Sequence, residues 1–132
     1  MIVMISGGFD PLHIGHLNMI EAAAELGRVY VALNSDDWLL RKKGYRVMPW
    51  GERARILKAL RLVTDVIPVN DDDGTVCQAL YHLHPHVFAN GGDRTTAEPR
   101  EAAVCKSLGI RQVFNVGGGK IRSSSELVKV AS

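Results

Sequence analysis

Cysteine is scarce in this sequence, long apolar runs are missing, and neither sign of charge dominates. The two thiols, Cys77 and Cys105, lie far apart and form no Cys-x-x-Cys pair, so they read as ordinary reduced cysteines, as expected in the cytoplasm. No apolar stretch approaches the roughly 18–20 residues that a membrane span requires. Residues 1–6 are too short and too poor in basic residues for a secretory signal. A formal net charge of +2 lacks the basic bias of most nucleic-acid-binding domains, so neither a nucleic acid nor a membrane is expected as a partner. What remains is an ordinary globular composition, 46% hydrophobic with a mean hydropathy of +0.01. The 132 residues read as one domain, 1–132, around a single core.

The positive charge that is present is clustered, at Arg41-Lys42-Lys43 with Arg46 and again at Arg53, Arg55, Lys58 and Arg61. Such small clusters suit a compact polyanion better than a long duplex. Around them, apolar runs alternate with helical patterns, which points to βαβ units and a parallel sheet. Strands are expected at residues 1–6, 28–34, 65–69, 86–90 and 112–116. Helices are expected at 14–26, 51–62, 75–83 and about 98–108, with a short one opening at Ser123. Leu17, Ile20, Ala24 and Leu26 are expected to face the core from the first helix, and Ile56, Leu57 and Leu60 from the second. Residues 35–50 read as an irregular basic loop over a site, and Asp71-Asp72-Asp73 as a solvated cap for the third helix. The expected fold is α/β, a Rossmann-like, doubly wound parallel sheet of about five strands in a single domain. Ligands of such sheets sit beyond the carboxyl ends of the strands. Residues 7–16, 34–43, 91–94 and 117–125 all follow strands and should converge there.

The first of these segments is Gly7-Gly8-Phe9-Asp10-Pro11-Leu12-His13-Ile14-Gly15-His16. Its two glycines let the backbone leave the strand sharply and come close to a phosphate, and Pro11 stiffens the turn. His13 and His16 fall in the first helical turn, three apart and on one face. Their ring N–H groups and the helix's free amides can then address phosphate oxygens, while Gly15 leaves room for a nucleotide. In the last segment, Ser123, Ser124 and Ser125 open a helix with hydroxyls suited to capping and to triphosphate oxygens.

His13-Ile14-Gly15-His16 resembles the His-x-Gly-His signature of the cytidylyltransferase-like nucleotidyltransferases. Class I aminoacyl-tRNA synthetases share that element, but a chain of this size has no part left to bind tRNA. The serine run is similar to the family's C-terminal Ser/Thr-rich signature. Many members carry a basic residue three positions after the last hydroxyl, where this chain has Val128; Lys120, Arg122 or Lys129 is left to supply that charge. Over nearly its whole length the chain most resembles the heptose-1-phosphate adenylyltransferase and glycerol-3-phosphate cytidylyltransferase branch. Asn34-Ser35-Asp36, Lys43-Gly44, Pro49 four residues before Arg53, and Asn90-Gly91-Gly92-Asp93-Arg94 follow the heptose-type pattern. Arg61-Leu62-Val63-Thr64-Asp65-Val66-Ile67 partly resembles a motif of the CTP-using enzymes instead.

The resemblance implies transfer of a nucleoside monophosphate from ATP or CTP to a small sugar or polyol phosphate, with release of pyrophosphate. Adenylyl transfer to a sugar phosphate is the preferred form. A CTP:glycerol-3-phosphate-type enzyme and a non-catalytic nucleotide-binding module of the same fold are the alternatives. His13, His16 and Lys43 are the expected catalytic residues. Nucleotide contacts are expected from Gly7, Gly8, Phe9, Asp10, Gly15, Arg53, Arg61, Asn90, Gly92, Asp93, Arg94 and Ser123–Ser125, and acceptor contacts from Asp36 and Arg46. Mg²⁺ is expected as the triphosphate's counter-ion, with no metal ligands from the protein. Dimers are common in the branch, although no interface stands out in this sequence.

Overall fold

The structure is a computed structural model that describes residues 1–91 and 97–118. Its strands are β1 (Ile2–Gly7), β2 (Arg28–Leu33), β3 (Val63–Pro68), β4 (Val87–Gly91) and β5 (Arg111–Val116). They are rich in valine and isoleucine and bounded by glycine, proline or polar residues, as buried parallel strands require. All pairings are parallel and the order is β3-β2-β1-β4-β5. The chain therefore reverses its direction of travel across the sheet between β1 and β4, which opens the ligand crevice of a doubly wound sheet at their carboxyl ends.

Among the described residues, five helices connect the strands: α1 (Ile14–Ala24), α2 (Asp36–Lys43), α3 (Trp50–Lys58), α4 (Cys77–Leu83) and α5 (Pro99–Leu108). Alternation along β1 splits the core into two layers. Val3 and Ile5 join Met19, Ile20 and Ala23 of α1 and Ala54 and Leu57 of α3 on one face. Met4 joins Ala79 and Leu80 of α4 and Val104 and Cys105 of α5 on the other. Each fully buried valine, leucine, isoleucine or methionine among them contributes about 1.5–3 kcal/mol.

Three expectations are corrected. Residues 36–43 are helical rather than irregular. The apolar side of α3 is built on Arg53, Ala54 and Leu57, while Ile56 is 41% exposed. Met19, outside the expected stripe, is a core residue of α1. It is also the seat of the adjacent strand ends: a Cβ at Gly117, where φ is +86°, would stand 2.8 Å from the Met19 Cα. Only glycine lets the exit of β5 lie this close to α1.

Candidate active site

The chain leaves β1 through Gly7 and Gly8, passes a cis Asp10–Pro11 peptide, and enters α1 at its N-cap, His13. That N-cap is unusual in using imidazoles. The Gly15 N–H donates to His13 Nδ1 at 3.1 Å, and the His13 N–H donates to His16 Nδ1 at 3.1 Å. The rings stack 3.8 Å apart, and buried Phe9 packs 4.7 Å from His16. Because each Nδ1 accepts a hydrogen bond, each neutral ring carries its proton on Nε2. In both histidines the N–H is therefore on the ring nitrogen that does not serve the cap.

Burial first, then the charges of His13 and Lys43, depress the pKa of His16 to about 3. At neutral pH it is an uncharged donor, and Lys43 is near enough to act on it. α1 has no acidic residue in its first turn, whereas α2 has Asp36 and Asp37 and α3 has Glu52. The positive end of the α1 dipole thus remains available to an anion. Gly15 has a structural reason beyond ligand room. A Cβ there would lie 3.0 Å from His13 Cε1 and 3.1 Å from Nδ1, displacing the ring from its cap.

Lys43 is the last residue of α2, which stops at Gly44 in the left-handed conformation (φ +81°). The start of this helix is held by a residue given another role in the sequence reading. Asp71 is 1% exposed and accepts from Asn34 Nδ2 (3.0 Å), the Ser35 N–H (2.9 Å) and Ser35 Oγ (2.6 Å). Arg41 donates to its carbonyl at 2.8 Å. Asp73 accepts from the N–H and hydroxyl of Thr75, while the first amide of α4's cap, that of Val76, goes to Glu101. The aspartates are therefore not a solvated cap of α4. Asp71 is the anchor that ties the turn after β2 to the turn after β3. Replacing it by alanine is expected to cost about 2–3 kcal/mol, since buried donors lose their acceptor. A urea-unfolding midpoint equal to wild type would contradict this.

The remaining candidates divide. Asp10, 1% exposed, accepts from the Val47 N–H at 2.6 Å and the Met48 N–H at 2.8 Å, so its carboxylate holds the chain beyond α2. Arg53, also 1% exposed, donates to four oxygens of the chain, among them Asp36 Oδ1 at 2.6 Å. Arg46 pairs with Asp36 Oδ2 at 2.9 Å and keeps 41% of its side chain exposed. Burial raises the Asp36 pKa, but the hydrogen bonds and charges of Arg53 and Arg46 outweigh it and hold the carboxyl below its ordinary value. Asn90, at the end of β4, accepts from Gln112 at 3.1 Å.

Arg61 does not join this group. It is exposed in the turn before β3, at the amino edge of a parallel sheet, and the histidines stand at the carboxyl edge. Its place before the third expected strand already assigned it to that edge of a parallel sheet. Gly92, Asp93, Arg94, Lys120, Arg122, Ser123, Ser124, Ser125, Val128 and Lys129 lie outside the described residues. Asp71 was the residue missed for this region. Its signal was an aspartate three residues after one strand, facing an Asn-Ser pair directly after its neighbour.

A family model described as cytidylyltransferase-like matches residues 4–125. The bifunctional protein HldE of Streptomyces coelicolor is 40% identical over 116 residues, 86% of this chain and 25% of that protein. HldE of Vibrio atlanticus is 35% identical over 132 residues, 97% of this chain and 27% of that protein. The chain thus spans about a quarter of the length of these curated relatives. A lipopolysaccharide core biosynthesis protein from Thermoplasma volcanium superimposes with a TM-score of 0.72 at 23% identity, covering 87% of this chain and 93% of that one. With the matched segment running from β1 through the serine run, the chain belongs to the cytidylyltransferase-like family of nucleotidyltransferases.

Proposed function

We propose that this chain transfers a nucleoside monophosphate from ATP or CTP to the phosphate of a small sugar or polyol, releasing pyrophosphate. One observation carries the reading. Two stacked imidazoles, each accepting a backbone amide at Nδ1 and so protonated at Nε2, cap a helix that has no acid in its first turn. That arrangement suits a triphosphate whose charge grows as the α–β bond breaks.

In this reading the acceptor phosphate attacks the α-phosphorus in line and pyrophosphate leaves. The protein's work is to position two polyanions and to stabilise developing charge. His13 and His16 donate to the triphosphate in the transition state. Lys43 bridges the α-phosphate and the acceptor phosphate as a point charge. Ser123–Ser125 contact the β and γ phosphates, and Mg²⁺ enters with the NTP as part of the substrate.

Adenylyl transfer to a sugar phosphate is the preferred form. Arg61, the residue favouring CTP, stands at the far edge of the sheet. The structural relative's description as a lipopolysaccharide core biosynthesis protein also points to a sugar acceptor. No described helix is long and apolar enough to cross a membrane, and a cytoplasmic site of action is part of this proposal.

The test is pyrophosphate release for each NTP against heptose-1-phosphate and glycerol-3-phosphate, with the product identified by mass. Release that requires both an NTP and a phosphorylated acceptor supports transfer. Nucleotide binding without release under every pairing would replace it with the non-catalytic module.

A further inference from the structure

Arg53 was expected to touch phosphate, yet its guanidinium is enclosed by the chain. The side chain is 0% exposed. Nε donates to the Met48 carbonyl at 2.9 Å. Nη1 donates to the Gly8 carbonyl at 2.8 Å and to the Asn34 carbonyl at 2.9 Å. Nη2 donates to Asp36 Oδ1 at 2.6 Å. An arginine has five N–H donors, and four contacts of this kind leave little capacity for a bidentate phosphate contact.

The partners are more informative than their number. Gly8 belongs to the turn after β1, which leads to His13 and His16. Asn34 and Asp36 belong to the segment after β2, which leads into α2 and Lys43. Met48 closes the basic stretch that follows Lys43, and its N–H is held by buried Asp10. Met48 is therefore gripped through its N–H by the turn that precedes the histidines and through its carbonyl by α3. Lys43 and Arg46 are strung between that grip and the Asp71 anchor of α2.

We infer that Arg53 is a positioning residue of the transfer site, one that sets the separation between the histidine pair and Lys43 without touching substrate. The inference rests on the transfer reading for its kinetic consequence. A planar fork is needed because the four acceptors come from three segments at fixed angles; a lysine presents a single point of charge and cannot hold all of them. Asp36 then serves as Arg53's counter-ion, and its other partner, Arg46, keeps 41% of its side chain exposed, where a ligand can reach it.

The test is Arg53→Lys in the full chain, with Asp10→Asn, which loosens the other grip on Met48, deciding if the first variant does not fold. A misplaced catalytic pair predicts a kcat loss of about 100-fold with the NTP KM nearly unchanged. In the wild type, the Arg53 Nε–H NMR signal should stay in place when ATP or CTP and inorganic phosphate are added. A raised KM with kcat retained, or a displaced Nε–H signal, would make Arg53 a ligand contact instead. Wild-type kcat in the folded variant would make it merely structural. A wild type that releases no pyrophosphate sinks the transfer reading alone. The inference is then read from the ligand-free Arg53→Lys spectrum, where unmoved His13, His16 and Lys43 signals would overturn it.

Discussion

His16→Ala is expected to lower kcat by about 100- to 1,000-fold, the usual consequence of removing one preorganised donor from a developing oxyanion. The same ring also caps α1 through Nδ1 and packs against His13 and Phe9, so alanine should cost about 1 kcal/mol of stability as well. Two further substitutions separate these roles. His16→Asn places an oxygen near the Nδ1 position and should keep the cap while losing the Nε2 donor. His16→Gln reaches farther and should restore part of the donor, while its carboxamide oxygen can still accept the His13 amide, as glutamine does at this position of a capping box. Both variants should therefore keep a thermal midpoint above that of His16→Ala, and kcat should follow the donor, in Gln above Asn. Equal kcat for wild type and His16→Asn would remove His16 from the chemistry.

Acid should destabilise the fold through the same residue. The unfolded His16 titrates near the ordinary histidine value of 6.5, and the folded one at about 3. Between those values the unfolded chain binds more protons, so stability rises with pH across the window and is fully present above about 6.5. Lowering the pH from 6.5 to 4 is expected to remove on the order of 2–3 kcal/mol through this group, at up to about 1.4 kcal/mol per pH unit. Protonation would also convert Nδ1 from acceptor to donor and break the hydrogen bond from the His13 amide. Urea denaturation at a series of pH values should show the slope in wild type and a flatter one in His16→Asn. Parallel slopes would refute it.

The strands were readable in the sequence because they are short β-branched runs between turn residues, and β1 to β5 lie within a few residues of their expected positions. The histidine site was readable for a different reason: its residue types stand in a fixed spacing directly after a strand. α2 escaped because its hydrophobic signal is almost nil. Of its eight residues only Leu39 is buried. Its other signals were in plain view: a Ser35 cap, Asp36 and Asp37 in the first turn, Arg41, Lys42 and Lys43 in the last, and Gly44 beyond. Arg53 escaped because an arginine defaults to the surface, and nothing local reveals that three carbonyls and a carboxylate will meet around it. The histidine tautomers depend on which ring nitrogen accepts an amide, a matter of ångströms that spacing does not specify.

α1 has eleven residues, begins Ile-Gly-His, and carries neither an acid at its start nor a base at its end. A peptide of that length and sequence has little reason to be helical alone. Its order is borrowed, from Met19, Ile20 and Ala23 against the sheet and from the two rings that cap it. On partial unfolding it is an early departure, and amide exchange should register its first turn opening while β1 and β2 stay closed. The segment proposed to bear the chemistry is thus one whose structure depends on the rest of the molecule being finished.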